Sequence, residues 1–277
     1  MVGLKRLLSY ARRACDDYGM IEEGDVIAVG VSAGKDSLSL LYTLSALSRF
    51  YPKKFKLIAI TVDMEFDELG GGRPKADYSP IRKLCEELGV EYFVEESHIA
   101  KIVFDIRKEK SPCSLCAKLR RGALNEAAKR LGANKVALGH HFDDAVETFM
   151  LNLFYEGRIG CFSPVTYLDR TDVTVIRPLV YAPEKDVEYF ARHTALPIIE
   201  SACPANKNTE REEMKTLLAE IERGNKGLRH RIFGAMMRGG VSVMPSISFS
   251  KVLTYSIPSS SSSKNPRSPS ALTSSFS

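Results

Sequence analysis

The apolar and polar positions of residues 1–200 predict buried strands that alternate with amphipathic helices. Two runs, 26–31 and 56–62, are mostly apolar and rich in β-branched residues, as is typical of strands buried on both faces. Shorter runs repeat this pattern further along the chain. The predicted strands are 26–31, 56–62, 90–94, 135–138, 173–176 and a last short one at Pro197-Ile198-Ile199.

The segments between these strands have their apolar residues at helical spacing. In residues 3–18, Leu4, Leu7, Leu8 and Ala11 share one stripe, and basic side chains occupy the opposite face. Two further helices are predicted at 77–89 and at about 117–131. Others follow Ser37, follow Asp144 and begin at Pro183, and two short basic helices end near Arg238. This alternation implies βαβ units, so we predict an α/β fold with a parallel sheet flanked by helices.

The composition changes sharply near the C-terminus. Residues 241–277 contain 15 serines, four prolines and no acidic residue. Such a segment cannot bury enough apolar surface to fold, which predicts a disordered tail. The predicted organisation is an N-terminal helix (1–24), an α/β domain with a Cys-x-x-Cys motif (25–200), a C-terminal helical segment with a third cysteine (201–238) and a serine-rich disordered tail (239–277).

The overall composition, 44% apolar and 26% charged, is ordinary for a globular protein. No apolar run approaches the roughly 20 residues that span a bilayer, and the N-terminus lacks the features of a signal peptide. We therefore predict a cytoplasmic protein without a membrane partner, whose six cysteines are reduced. The formal net charge of +5 permits a nucleic-acid partner without favouring one.

The strongest local signal is the turn Ser32-Ala33-Gly34-Lys35-Asp36-Ser37, between the first strand and the following helix. Small residues at such a turn leave the N–H groups of a helix N-terminus open to an anion, and phosphate is the usual ligand. Lys35 adds a positive charge, and Ser32 and Ser37 add hydroxyl donors. The alternative is an ordinary strand–turn–helix corner that binds nothing.

The spacing of this turn differs from that of a Walker P-loop. Gly30 and Gly34 are too close together, and Asp36 stands where a Walker loop has its hydroxyl residue. The turn instead resembles the Ser-Gly-Gly-x-Asp-Ser loop of the ATP pyrophosphatases, which bind the pyrophosphate end of ATP and transfer AMP to a substrate. Ala33 departs from that loop, since a positive φ at this position strains an alanine.

Polar residues also follow two other predicted strands, at the edge where open α/β sheets bind their ligands. Asp63 ends the second strand, and Gly139-His140-His141-Phe142-Asp143-Asp144 follows the fourth. Carboxylates are suitable ligands for Mg²⁺, so Asp36, Asp63, Asp143 or Asp144 could hold this ion. Gly139 and His140 are candidate nucleotide contacts. Each of these residues could instead serve only its own loop.

Cys113-x-x-Cys116 allows three interpretations. A structural zinc site needs four ligands, and the sequence has no second Cys-x-x-Cys, although two histidines and two other cysteines could contribute. A thioredoxin-like redox pair needs its own fold context. The third interpretation is an iron–sulfur cluster held by Cys113, Cys116 and the remote Cys203, which leaves one iron without a protein ligand.

Several motifs in one order resemble the tRNA 2-thiocytidine synthetases of the PP-loop ATP pyrophosphatase superfamily. They are the turn at 32–37, Cys-Ser-Leu-Cys-x-x-Leu-Arg-Arg-Gly, Ala-Leu-Gly-His-His-x-Asp-Asp, Asn152-Leu153-Phe154-Tyr155, Ile176-Arg177-Pro178-Leu179 and the Pro-Ile-Ile ahead of Cys203. The resemblance covers about residues 3–238. It implies an adenine nucleotide alpha hydrolase-like fold, in which 25–200 is the PP-loop ATP pyrophosphatase domain.

The resemblance also implies a chemistry. It assigns a [4Fe-4S] cluster to Cys113, Cys116 and Cys203, with ATP and Mg²⁺ as further cofactors and tRNA as the substrate. A second cysteine near Cys203, present in some members, is absent from this sequence. The sulfur donor would be a cysteine desulfurase or sulfide, and a homodimer is a further prediction. The residues predicted to take part in catalysis are Lys35, Asp36, Arg120, Asp143 and Asp144, with Arg120 one helical turn beyond Cys116 and near the α-phosphate of ATP.

We therefore predict an ATP-dependent enzyme that adenylates the C2 oxygen of a tRNA cytidine and replaces it with sulfur. One alternative is a tRNA uridine 2-thiolase, whose members carry extra zinc modules that this sequence lacks. Another is a PP-loop enzyme that amidates or ligates a different substrate and holds zinc on its Cys-x-x-Cys, and a third is a non-enzymatic RNA-binding metal protein. Candidate contacts to the RNA backbone are Arg12, Arg13, Arg229, His230, Arg231 and Arg238.

Overall fold

The computed structural model describes residues 3–69, 74–108, 112–200, 202–203 and 210–241. Its strands are β1 (Asp25–Gly30), β2 (Phe55–Asp63), β3 (Glu91–Glu96), β4 (Lys135–Ala137), β5 (Val165–Leu168) and β6 (Val173–Ile176). In the part of the chain so described, these strands form one sheet in the order β3-β2-β1-β4-β6-β5. The predicted α/β class is confirmed.

Helices cover both faces of this sheet. They are α1 (Leu4–Tyr18), α2 (Lys35–Ser48), α3 (Ser79–Leu88), α4 (Pro112–Arg130), α5 (Phe142–Tyr155), α6 (Glu184–His193), α7 (Glu210–Gly224) and α8 (Leu228–Arg238). A 3₁₀ turn at Phe66–Leu69 and a π-helical turn at Lys101–Ile106 follow β2 and β3. Within these ranges, no helix is both long enough and apolar enough to cross a membrane.

All strand pairs except the last are parallel. β1 pairs with β2 on one side and with β4 on the other, and β4 pairs with β6. The carboxyl ends of these strands therefore lie at one edge of the sheet, where ligands bind in this fold class. β5 pairs with β6 in antiparallel orientation and was not predicted, because its four residues are only partly buried and carry no clear apolar pattern.

Two apolar cores lie on opposite faces of the sheet. The larger core includes Leu7 of α1, Leu44 of α2 and Phe190 of α6, all fully buried. The smaller one packs Leu124 and Ala127 of α4 against strand residues. Burial on both faces explains why the central strands have continuous apolar sequences instead of alternating ones.

Three local predictions are corrected by the structure. α4 begins at Pro112 and not near residue 117, since proline is well suited to the first helical position; Cys113 and Cys116 thus lie on helix α4 itself. Pro197-Ile198-Ile199 forms no strand and makes a single backbone hydrogen bond to Ala33. Helix α7 begins with three glutamates in its first turn, so it is not a basic helix. The predicted disordered tail, apart from Gly239–Val241, lies outside the described residues.

Candidate active site

The turn between β1 and α2 is closed by its own hydroxyl groups. Ser37 Oγ accepts a hydrogen bond from the Ser32 N–H at 3.1 Å and donates one to the Gly34 carbonyl at 3.0 Å. Gly34 precedes α2, and no described side chain caps that helix. The N–H groups of its first turn are therefore available to an anion, as the sequence predicted.

Ala33 has a left-handed backbone conformation inside this turn, with φ at 63°. Its side chain is buried, and its carbonyl accepts a hydrogen bond from the Ile199 N–H at 3.1 Å. The strain expected for an alanine is therefore present and costs about 1–2 kcal/mol. Ala33 thus occupies a backbone position that would favour glycine.

Gly139 brings the end of β4 directly against this turn. A Cβ at Gly139 would lie 3.0 Å from the carbonyl carbon and oxygen of Asp36 and from the backbone nitrogen of Ser37. All three atoms belong to the backbone, which cannot move aside as a flexible side chain can. The absence of a side chain at Gly139 therefore allows two predicted nucleotide-binding segments to meet.

Lys35 is held between two carboxylates. Its Nζ lies 2.9 Å from Asp36 Oδ1 and 3.1 Å from Glu184 Oε1, and Lys215 Nζ reaches the same Glu184 oxygen at 2.8 Å. Burial lowers the pKa of Lys35, but the two carboxylates outweigh it and raise the pKa overall. Burial likewise raises the pKa of Glu184, but the hydrogen bonds and charges of the two lysines lower it to about 2. Lys35, Glu184 and Lys215 are therefore all charged at neutral pH.

His141 and Asp144 form a capping box at the start of α5. The Asp144 N–H donates to His141 Nδ1 at 3.3 Å, and the His141 N–H donates to Asp144 Oδ2 at 2.8 Å. His141 Nε2 also lies 3.8 Å from Asp36 Oδ1. His141 thus connects α5 to the turn at 32–37.

His140 is a neutral ring beside this site. Burial and, to a smaller extent, the charge of Arg177 lower the pKa of His140 to about 4. Its Nδ1 is buried and lacks a hydrogen-bond partner among the described residues. The Arg177 guanidinium lies 5.0 Å from the centre of the Phe162 ring, and this ring also packs against His140. His140 can therefore contact a nucleotide only as a neutral group.

The carboxylates of Asp143 and Asp144 already have partners. Asp143 Oδ2 accepts the Glu184 N–H at 2.7 Å, and its Oδ1 lies 3.4 Å from Arg229 Nη1. Asp144 Oδ1 lies 3.3 Å from Arg211 Nη1. The side chain of Arg229 is only 16% exposed, which does not suit the RNA contact predicted there. Each of the three aspartates therefore has a cationic partner, and Asp36, paired with Lys35, has the most exposed carboxylate of the three.

Asp63 ends β2 at the same edge of the sheet and is buried. Its Oδ1 accepts the Glu65 N–H at 3.0 Å. Burial and the neighbouring Asp63 carboxylate raise the pKa of Tyr78, whose hydroxyl hydrogen-bonds to Asp63. Asp63 thus shapes the loop after β2, which is the alternative that the sequence left open.

The three predicted cluster cysteines lie close together. Cys113 is exposed, whereas Cys116 and Cys203 are half-buried. Burial raises the pKa of the Cys116 thiol, Arg120 lowers it, and Cys203 and Cys113 raise it further. This electrostatic contact places the sulfurs of Cys113 and Cys203 near Cys116, although Cys203 is 87 residues away in sequence.

A four-iron cluster and a single zinc ion need different spacings of their ligand sulfurs. One zinc ion with Zn–S bonds of about 2.3 Å needs its ligand sulfurs about 3.8 Å apart. Of the residues that the structure describes, only Glu65, Glu68 and His98 bring three potential ligand atoms within 4.8 Å of one another. In a four-iron cluster each thiolate binds a different iron, so its ligands stand further apart. The three cysteines do not form a group as tight as that, and a donor set of thiolates alone is the one that four-iron clusters use.

The cysteines lie at the same edge of the sheet as the turn at 32–37. Cys203 follows Ile199 by four residues, and the Ile199 N–H is bonded to Ala33. Cys116 packs in a small apolar group with Met64, directly after the end of β2. A Cβ at Gly30, the last residue of β1, would lie 2.7 Å from a methyl carbon of Leu124 on the cysteine-bearing helix.

The remaining cysteines are neutral thiols. Burial raises the pKa of Cys15 to about 12 and the pKa values of Cys85 and Cys161 to about 11. Cys15 and Cys85 are buried in the larger core, and the Cys161 thiol donates to the Ala145 carbonyl at 3.4 Å. Their predicted roles as core or bystander thiols agree with these positions.

Glu184, Lys215 and Arg211 were not predicted as site residues. Glu184 lies at the start of α6, and its lysine partners are 149 and 31 residues away. No local sequence pattern reports such distant pairs. The sequence shows only that Glu184 directly follows the helix-opening Pro183, and an acidic residue at that position is equally typical of helices without a functional site.

Comparisons with known proteins agree with this geometry. Residues 9–221 match the model of the PP-loop domain family. The tRNA-cytidine(32) 2-sulfurtransferase of Ralstonia pickettii is 41% identical over 233 residues, covering 83% of this chain and 72% of the relative. The enzyme of the same name from Geobacter sulfurreducens is 38% identical over 235 residues, covering 84% and 89%.

A solved structure is also similar. The U34-tRNA thiolase NcsA of Methanococcus maripaludis, determined with its [4Fe-4S] cluster, superimposes with a TM-score of 0.65 at 25% sequence identity. The match covers 84% of this chain and 78% of that structure. The fold, the turn and the sequence relatives lead to one assignment: the chain belongs to the PP-loop family and, within it, to the tRNA-cytidine(32) 2-sulfurtransferases.

Proposed function

We propose that this chain uses ATP to adenylate the C2 oxygen of cytidine 32 in tRNA and that sulfur then replaces this oxygen to give 2-thiocytidine. tRNA-cytidine(32) 2-sulfurtransferase activity is that of the family to which the chain belongs. The observation that carries the proposal is the position of Cys203. Cys203 is near Cys116 and only four residues from Ile199. The Ile199 N–H donates to the Ala33 carbonyl in the turn at 32–37, which we call the nucleotide turn.

The nucleotide turn suits the first step. The C2 oxygen of cytosine is a poor leaving group, and transfer of AMP to it makes it leave readily. In this proposal the first-turn N–H groups of α2 and the Lys35 ammonium bind the β- and γ-phosphates and stabilise the departing pyrophosphate. Ser32 and Ser37 fix the shape of the turn, and Gly139 packs against it from the end of β4. In this proposal His140 contacts the nucleotide as a neutral ring.

The cysteine side of the cleft suits the second step. We assign Cys113, Cys116 and Cys203 as ligands of a [4Fe-4S] cluster, which the related U34-tRNA thiolase contains. With three protein ligands, such a cluster offers one iron position that can carry sulfur to the activated base. Arg120 is exposed on the helix that carries Cys116 and lowers the pKa of that thiol, and in this proposal its charge contacts the α-phosphate.

Other parts of the proposal are supported less directly. Asp36 is our candidate Mg²⁺ ligand, because its side chain keeps 35% exposure beside Lys35. Asp143 and Asp144 position the surrounding arginines and the start of α5. A cysteine desulfurase or sulfide as the sulfur donor, and a homodimer, remain predictions. A tRNA substrate agrees with the predicted cytoplasmic location.

A uridine 2-thiolase is the second candidate, because the superimposed structure is a U34-tRNA thiolase. The sequence relatives named for cytidine 32 are 41% identical, against 25% for that thiolase. The cytidine assignment is therefore the stronger one.

The test is to express the full chain in a bacterial strain that lacks 2-thiocytidine and to analyse its tRNA nucleosides by mass spectrometry. We expect 2-thiocytidine with the wild-type chain and none with Lys35→Ala as the inactive control. Appearance of 2-thiouridine instead would establish the second candidate. Absence of both thionucleosides, with the protein expressed and its iron present, would contradict the proposal.

A further inference from the structure

One carboxylate oxygen beside the nucleotide turn is shared by two lysines from different parts of the chain. Glu184 Oε1 lies 3.1 Å from Lys35 Nζ and 2.8 Å from Lys215 Nζ. Lys35 belongs to the turn itself, whereas Lys215 belongs to α7 in the C-terminal helical segment. The shorter of the two contacts is the one to Lys215, outside the sequence motif.

The Glu184 side chain is only 16% exposed, so its charge depends on these partners. Leaving a buried carboxylate without a cation is strongly unfavourable. If Lys35 turns toward the phosphates of ATP, Glu184 loses one of its two cations. Lys215 can remain in place, since its backbone is fixed on α7 and its carbonyl accepts a hydrogen bond from Arg229 at 3.4 Å.

The neighbouring charges make this compensation necessary. ATP brings several negative charges to a turn that already contains Asp36, while Glu184 lies within reach of the same lysine. Glu147 adds another acidic side chain close to Glu184 and Lys215. Without a second cation, Glu184 would retain Lys35 and repel the polyphosphate.

We propose that Lys215 is a positioning residue for nucleotide binding, which neutralises Glu184 and so releases Lys35 to the phosphates of ATP. This inference rests on the proposed ATP site at 32–37. It also gives the C-terminal helical segment a direct influence on the nucleotide turn, through one carboxylate.

The first measurement is ATP binding by the full chain, by calorimetry with Mg²⁺ and ATP and with a non-hydrolysable analogue. We expect Lys215→Met to weaken ATP binding about tenfold and to raise the KM for ATP similarly, with kcat at saturating ATP within about twofold of wild type. Lys215→Arg keeps the charge and should restore most of the affinity. Arg223→Met, which removes an exposed charge from the same helix, should bind ATP as wild type does.

The second measurement separates charge compensation from loss of structure. In Glu184→Gln/Lys215→Met the carboxylate that needs a cation is gone, so ATP affinity should return to within about threefold of wild type. A double variant as weak as Lys215→Met would overturn the inference, as would wild-type affinity in Lys215→Met. If Lys215→Met fails to fold, Lys215→Gln takes its place in both measurements, alone and with Glu184→Gln, and the same outcomes decide. Absence of ATP binding by the wild-type chain would instead contradict the proposed function.

Discussion

The nucleotide turn and the cysteine-bearing segments lie at the same edge of the sheet, but the protein holds them in different ways. The turn at 32–37 is fixed by its own serines, by the backbone of Gly139 and by a half-buried network of charges. Cys113 is exposed, and Cys116 and Cys203 are only half-buried. The first site is built by close packing of backbone at the strand ends, whereas the second is made of three thiol side chains that stay partly open to solvent.

This difference suggests a division of labour. A phosphate site made of backbone groups must be complete before ATP arrives, because its binding energy comes from preorganised N–H groups. A cluster can itself bring its three cysteines to their final spacing, since metal binding and local folding are coupled. Substitutions in the two regions should therefore affect different measurable quantities.

Replacement of Cys203 should produce the largest effect. We expect Cys203→Ala to lose the cluster and to reduce thiolation more than about 100-fold, because two thiolates cannot retain a four-iron cluster well. ATP binding should stay within about twofold of wild type. Iron content, visible absorption and calorimetry with ATP check these expectations on one protein preparation.

Cys161→Ala is the matched control for Cys203→Ala. Cys161 is also half-buried, and its thiol donates to the Ala145 carbonyl at 3.4 Å. This variant should keep its iron and its activity. Full iron content in Cys203→Ala would show that another residue is the third ligand.

Gly139→Ala should disrupt the nucleotide turn and leave the cysteine-bearing segments intact. A methyl group 3.0 Å from the backbone of Asp36 and Ser37 must push the end of β4 away from the turn. We expect ATP affinity to fall at least about 30-fold, while cluster absorption is unchanged. Gly224→Ala, where a Cβ meets open space, serves as the control and should bind ATP normally. Normal ATP binding by Gly139→Ala would mean that the two segments need not touch.

The sequence predicted the nucleotide turn more completely than its surroundings. The turn at 32–37 depends on local residue types, so the strand, the small residues and the left-handed position at Ala33 were all evident. The contact of Gly139 with this turn and the shared contact of Glu184 depend on strand order and on helix packing. Neither leaves a local pattern, and the start of α4 at Pro112 was obscured by a motif usually associated with loops.

Glu147 tests how the charged network behind the turn responds to pH. Burial and, to a smaller extent, the charge of Asp144 raise the pKa of Glu147 to about 7 in the folded protein. Because the folded state holds this proton more tightly than the unfolded chain, the stability due to Glu147 is complete below about pH 4.5 and is lost as the pH rises through 7. We expect Glu147→Gln to raise the free energy of unfolding by about 2 kcal/mol at pH 8 and by much less at pH 5.

Denaturant unfolding at the two pH values measures this difference. Glu220→Gln, an exposed position on α7, should give no such pH dependence. An equal gain for Glu147→Gln at pH 5 and pH 8 would show that the carboxyl is already ionised at both. The cysteine segments, which contain no comparable buried acid among the residues described, should contribute nothing to this response.

The smallest expected effect concerns the strained residue inside the turn. Ala33 has φ at 63°, where glycine is unstrained, so Ala33→Gly should raise the free energy of unfolding by about 1 kcal/mol. Ala195 is a second alanine in the left-handed region, at φ 49°, and lies exposed just after α6. Ala195→Gly should therefore give a similar gain.

If the strain at Ala33 is only a cost of its side chain, both variants bind ATP as wild type does. A change in ATP affinity confined to Ala33→Gly would show instead that the alanine helps to set the shape of the phosphate site.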